Sequence, residues 1–194
     1  MSRTSKLFKD TILGMSPFIE GDIAEIGVLT GTTFKVLCGL AQSRGVMAHA
    51  LDSFKGLDTP TERDLDKSGQ TIYPRGRFDI GGVGNFHVYM SKYKVARKAY
   101  TTWEGFIPEC LVKVPKSIKF AYIRLDVDQY EPTKTAAEWA MECLTIGGVL
   151  SSHDYFPSSN ILASGAMKDI ISSYADVIDV IGNDEDEIFI RRVE

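Results

Sequence analysis

Short apolar runs of β-forming residues alternate along this chain with segments of helical spacing. Ile23, Ala24 and Ile26 make the first run; Gly27 breaks it, and Thr30, Gly31 and Thr32 turn the chain into a helix starting near Thr33. Residues 34–42 continue that helix with Val36, Leu37 and Leu40 inward, Gly45 closes it, and residues 46–54 read as a second strand. Before the first strand, Leu7, Phe8, Ile12 and Met15 predict a short amphipathic helix that Pro17 ends. Downstream the pattern predicts a short helix over 91–98, a strand near 99–102 and a helical turn over 104–111. It continues with a strongly apolar strand over 119–127, a helix over 131–144, a strand over 147–155 and a helix over 160–175. Two closing strands, 177–181 and 187–193, flank the acidic turn Asn183-Asp184-Glu185-Asp186, which suits an antiparallel hairpin. This alternation predicts a single-domain α/β fold with a doubly wound, mostly parallel sheet and a C-terminal antiparallel hairpin strand.

Residues 55–90 interrupt the pattern with two prolines, several charges and a Gly81-Gly82-Val83-Gly84 cluster, and show no useful helical period. So long an irregular stretch reads as a lid or substrate loop, in which Arg75 and Arg77 either meet an anionic substrate or are solvated. The glycine cluster is no phosphate loop, because no Lys-Ser/Thr pair follows it.

Composition narrows the classes. With 194 residues, 44% hydrophobic and 25% charged, the chain suits one domain with a substantial core. A net charge of −4 gives no general basis for binding nucleic acid or an anionic membrane. No apolar run is long enough to span a bilayer, and the polar N-terminus lacks a signal-peptide core. Cys38, Cys110 and Cys143 are scattered without zinc spacing, so the chain reads as reduced and cytoplasmic.

The candidate chemistry sits where strands end. Glu25 is a carboxylate inside an apolar run, an expensive placement unless a partner needs it. Its spacing to Gly27 and Gly31 is E-x-G-x-x-x-G, not the G-x-G-x-x-G that cradles a dinucleotide, which favours a nucleoside ligand with a cationic group. Asp52 closes the second strand, about 20 residues on, where it either accepts hydrogen bonds from ribose hydroxyls or caps the next loop. Asp126 and Asp128 end the fourth strand and His153-Asp154 the fifth. Adjacent parallel strands bring such ends together, and a divalent cation would neutralise them; the alternatives are a helix N-cap or a salt bridge to Arg124.

Taken in order, EIGVLTG, DSFKGLD, YTTWEGFIPECL, FAYIRLDVDQYEPTKTAAEW and GGVLSSHDYF resemble the macrocin-type sugar O-methyltransferases across residues 21–157. The resemblance implies a Rossmann-like class I fold, S-adenosylmethionine as cofactor, magnesium or another divalent metal, and a sugar-like hydroxyl acceptor. It implies that Glu25, Gly27 and Gly31, with Thr30 in the same turn, line the methionine side. Asp52, Ser53 and Phe54 would lie near ribose and adenine, Trp103, Glu104 and Gly105 would border the adenine, and Asp126 and Asp154 would hold the metal. The family pattern ends its fifth strand in Asp-Asp-Tyr where this chain has His153-Asp154-Tyr155, so either the histidine enters the metal shell or metal binding is weakened. A metal would acidify the attacking hydroxyl beside Asp126, and His153 or His87 would take its proton. Two other readings stay open: a binding module of the same fold without turnover, and an NAD-linked oxidoreductase. Homo-oligomer formation is open as well.

Overall fold

The computed structural model describes residues 10, 11, 14, 18–184 and 186–194; of the expected N-terminal helix, the apolar positions Leu7, Phe8, Ile12 and Met15 lie outside them. Among the described residues, seven strands form one sheet: β1 (Asp22–Ile26), β2 (Ala48–Asp52), β3 (Tyr100–Glu104), β4 (Phe120–Leu125), β5 (Leu144–His153), β6 (Ile178–Asp184) and β7 (Glu187–Arg192). Their order across the sheet is β3-β2-β1-β4-β5-β7-β6. The first five run parallel, and β7 lies antiparallel between β5 and β6. Connections from β1 lead away to one side and those from β4 to the other, so the strand order reverses between them.

Helices α1 (Phe34–Arg44), α2 (Val83–Lys92), α3 (Glu109–Val112), α4 (Tyr130–Cys143) and α5 (Leu162–Ser173) cover both faces. Against one face pack Phe34, Leu37, Phe86 and Met90 with Ile23, Tyr122 and Phe189; against the other pack Ala136, Ala140, Met167 and Ile170 with Ile26, Ile123 and Leu125. Residues 122 and 123, or 23 and 24, therefore serve opposite cores, as the two-residue period of a strand requires.

Three expectations change. In α1 the inward stripe is Phe34, Leu37, Cys38 and Ala41, at helical spacing, which turns Val36 outward to 41% exposure. A helix predicted over 91–98 lies earlier, at Val83–Lys92, with Gly82 at its N-cap. Only Phe86 and Met90 of that helix are buried, and its glycine-rich start resembles loop composition. Finally, β3 runs through Glu104, so the helical turn expected from 104 begins only at Glu109.

Candidate active site

The carboxyl ends of β1, β2, β4 and β5 open on one cavity of about 700 Å³, ample for a small-molecule ligand. The chain leaves each of these strands through a non-glycine residue in the left-handed region: Leu29, Phe54, Asp128 and Asp154 have φ of 48°, 54°, 60° and 57°. Such residues cost about 1–3 kcal/mol each and persist where surrounding structure holds them. Here they bend the chain sharply around a common rim.

Glu25 forms one end of the site. Its carboxylate is 1% exposed and lines the cavity. Oε1 accepts a 2.8 Å hydrogen bond from Arg124, while the buried Oε2 has no hydrogen-bond partner among the described residues. Burial pushes the Glu25 pKa up to about 8, against the lowering pull of Arg124 and with further upward pressure from Asp126 and Glu187. Arg124 serves three carboxylates, donating also to Asp126 Oδ2 at 2.7 Å and to Glu187 Oε1 at 3.1 Å. Ser151 donates to the same Glu187 oxygen, and Tyr122 meets Ser151. One guanidinium thus faces three acids, of which Glu25 is the most deeply buried.

Asp52 is committed to the protein backbone. Its Oδ2 accepts hydrogen bonds from the amides of Val28 and Leu29 at 2.8 and 3.0 Å, and its Oδ1 from Phe54 at 2.7 Å. Three of the roughly four acceptor positions of a carboxylate thus hold the β1–α1 loop against the end of β2. This is the loop-capping alternative of the sequence reading. Ser53 lines the same wall and donates to Gly56 O.

The glycines of the first turn work between chain segments. A Cβ on Gly27 would stand 1.9 Å from the carbonyl oxygen of Asp126, and one on Gly31 2.5 Å from Met90 Sδ. Gly27 lines the cavity as well, but its missing side chain admits the β4 backbone. Gly31 makes room for α2 and does not line the cavity.

At the other end stand Asp126, His153 and Asp154, each offering one donor atom, all within 4.8 Å of one another. His153 Nδ1 lies 3.3 Å from Asp126 Oδ1 and 3.2 Å from Asp154 Oδ1. At those distances it still makes no well-directed hydrogen bond, and the atom is buried. His153 Nε2 lies 3.3 Å from Asp186 Oδ2. Burial would lower the His153 pKa, but the carboxylates of Asp126 and Asp154 outweigh it and raise it to about 11. Burial likewise opposes ionisation of Asp126, yet Arg124 and His153 hold its pKa down at about 2. Asp128 is pushed up to about 8 by burial and by its contact with Asp154. The salt bridge to Arg124 does exist, and it occupies only Oδ2 of Asp126; Oδ1 faces His153.

Gly105 and Thr30 also line the cavity. Trp103, Glu104, Phe54 and His87 do not. Trp103 donates from its indole nitrogen to His49 Nδ1 at 3.0 Å and stacks on that ring, away from the site. Glu104 ends β3 and lends its carbonyl oxygen to Lys113. Phe54 is 1% exposed and packs on Phe86. His87 rides on α2 with Nδ1 3.1 Å from the Tyr100 hydroxyl, so of the two candidate bases only His153 faces the cavity.

Sequence reasoning missed Tyr73 and Phe78 as cavity residues. Both come from the irregular segment after β2, where no period marks which side chains turn inward. Asp128 was visible as a strand-end acid, but its direction follows from the left-handed bend that no motif announces. Arg75 is exposed on that segment, and Arg77 lies over the Phe78 ring at 4.9 Å. Neither lines the cavity.

Solved structures similar to this one include O-methyltransferases. The O-methyltransferase NovP superposes with a TM-score of 0.75 at 19% identity, over 96% of this chain and 76% of its own. The calicheamicin methyltransferase CalS11 gives 0.72 at 18% identity, over 95% and 77%. TomG from Streptomyces achromogenes, involved in tomaymycin synthesis and solved with S-adenosylmethionine, gives 0.63 at 12% identity, over 94% and 75%. The chain has the class I methyltransferase fold. No protein-family model and no curated protein matches it. Within this methyltransferase fold the cavity occupies the switch point between β1 and β4, where open α/β sheets bind ligands. Among the described residues, no helix is long and apolar enough to cross a membrane.

Proposed function

We propose that this chain is an S-adenosylmethionine-dependent O-methyltransferase, aided by a divalent metal, that acts on a hydroxyl of a sugar-like or other vicinal-diol small molecule. The observation that carries the reading is one cavity with two chemically different ends: the unpaired buried oxygen of Glu25, and the Asp126, His153 and Asp154 cluster. Its support from comparison is the likeness in fold to NovP, CalS11 and TomG.

The residues present fit both groups. The lone Oε2 of Glu25 is an acceptor waiting for a donor, and an amino-acid ammonium supplies one. The β1–α1 loop, held by Asp52, gives the wall against which a nucleoside lies. Asp126, His153 and Asp154 present three converging donors for an ion. When bound, S-adenosylmethionine supplies an activated methyl group and the metal lowers the pKa of a coordinated hydroxyl. The protein's own share is orientation, because an activated methyl mainly requires an oxygen brought into line with it. Asp128 extends the acidic wall beside Asp154 and offers an oxygen to the acceptor proton, and His153 belongs with the metal donors. Tyr73 and Phe78 face the same space from the segment between β2 and α2, which serves as the lid. The reaction suits a cytoplasmic enzyme without nucleic-acid or membrane partners.

Two measurements on one sample test this. Calorimetry is expected to show S-adenosylmethionine binding, and a panel of sugars and catechols is expected to include an acceptor that becomes methylated. Excess chelator should abolish transfer while cofactor affinity changes little, and added metal should restore it. Failure to bind S-adenosylmethionine overturns the reading; full activity in chelator removes the metal from it.

A further inference from the structure

His153 is what sets this metal cluster apart from an all-carboxylate one. A site of oxygen donors suits magnesium, which demands near-octahedral oxygen coordination at about 2.0–2.1 Å and gives up its waters reluctantly. Imidazole nitrogen is a softer donor that suits first-row transition ions, whose affinity rises from manganese through cobalt and nickel. A histidine in place of an aspartate also removes one negative charge from the donor set, which weakens the attraction for a hard ion most. Both effects act in the same direction.

The geometry around the ring agrees. Donors on one octahedral or tetrahedral ion at about 2.0–2.2 Å stand about 2.8–3.6 Å apart. His153 Nδ1 is 3.3 Å from Asp126 Oδ1 and 3.2 Å from Asp154 Oδ1, within that span. The same nitrogen is buried without a directed hydrogen bond, as a nitrogen aimed at an ion between the carboxylates would be. On the far side of the ring, Nε2 faces Asp186 Oδ2 at 3.3 Å. A ligating histidine is characteristically fixed by a carboxylate on its other nitrogen, which sets the tautomer and strengthens the donor. Asp186 is tied in place through its backbone, since its carbonyl accepts from the Tyr155 amide at 2.9 Å. The β6–β7 turn thus reaches back to the end of β5.

We infer that Asp126, His153 and Asp154 form a mixed carboxylate–imidazole site that selects a first-row transition ion over magnesium, with Asp186 as the residue that positions His153. This rests on the metal reading above. On binding, the ion takes the position of the Nδ1 proton, which leaves to solvent, while Nε2 keeps its proton toward Asp186.

The test uses the full chain, stripped of metal, and titrates Mn2+, Co2+ and Mg2+ by calorimetry. Pulsed electron paramagnetic resonance of the Mn2+ sample reads whether an imidazole nitrogen is coupled to the ion. Co2+ is expected to bind at least tenfold tighter than Mg2+, and a nitrogen coupling is expected. His153→Asp should lower the ratio of Co2+ to Mg2+ affinity at least tenfold and abolish the coupling. Asp186→Asn should weaken Co2+ binding about 10–100-fold and leave S-adenosylmethionine affinity unchanged. Magnesium binding as tightly as Co2+, or no nitrogen coupling, overturns the selectivity while the metal reading stands. Absence of binding by every ion overturns both. An Asp186→Asn protein that binds Co2+ like the parent removes Asp186 from the site.

Discussion

Asp52 shows how one carboxylate can decide whether a ligand wall exists. Its two oxygens collect the amides of Val28, Leu29 and Phe54, and hydrogen bonds to a charged acceptor are worth about 1.5–3 kcal/mol each and are not additive. Asp52→Ala is therefore expected to weaken S-adenosylmethionine binding by about 2–3 kcal/mol and to lower the unfolding midpoint as well, because a loop is released along with any ligand contact. Calorimetry and thermal unfolding on the same variant check this; lost affinity with unchanged stability would mean that the carboxylate serves the ligand alone. Asp52→Asn should fare little better than alanine. Whichever way the amide is turned, its NH2 group confronts at least one backbone N–H. The sequence identified this residue and its place at the end of β2, but not how its acceptor capacity is divided, since that depends on how close a loop 24 residues upstream approaches.

Among the elements, the segment between β2 and α2 is long, irregular and nevertheless fastened. Asp64 is 2% exposed, and its Oδ1 accepts from the amide of Tyr130, the first residue of α4, at 2.7 Å. Its Oδ2 accepts from the amide and hydroxyl of Thr61. Gln129 adds hydrogen bonds to the carbonyls of Asp58 and Tyr73. A borrowed acid therefore satisfies an amide at the start of α4, the role a helix cap usually plays locally. Asp64→Ala should cost about 1–3 kcal/mol and expose residues 57–80 to faster hydrogen exchange and proteolysis, with the sheet unchanged. Equal exchange across that segment in both proteins would count against the anchor. Strands and long helices were legible from their periods because each buries a regular stripe. Helix α2 was not, since two inward residues make no period, and Asp64 was not, since its partner lies 66 positions away.

Across the whole molecule, the run from Glu25 through Arg124 to Glu187 joins the cavity to the last strand. The Glu25 pKa, about 8, lies above its ordinary 4.5, so the stability it contributes is full below about pH 4.5 and is lost as pH rises through about 8. Comparing Glu25→Gln with the parent isolates this contribution from that of Asp128, which falls over the same range, and of His153, which falls at higher pH. Denaturant unfolding at pH 5, 6, 7 and 8 should show the parent losing up to about 1.4 kcal/mol per pH unit more than the variant. Parallel pH profiles would show Glu25 to be ionised throughout. The acids at both ends of this cavity stood out in the sequence because charge inside or just after an apolar run is conspicuous. Their shared cation, Arg124, appeared only as a neighbour of Asp126, and its reach to Glu187 required knowing that β7 lies beside β5. That placement bears on the order of folding. Until β7 is inserted, Arg124 lacks one of its three acids and β5 has an open edge. Folding that leaves β7 undocked would hold every cavity residue yet lack the strand whose Glu187 seats Arg124, so the pocket is expected to be finished only when β7 docks.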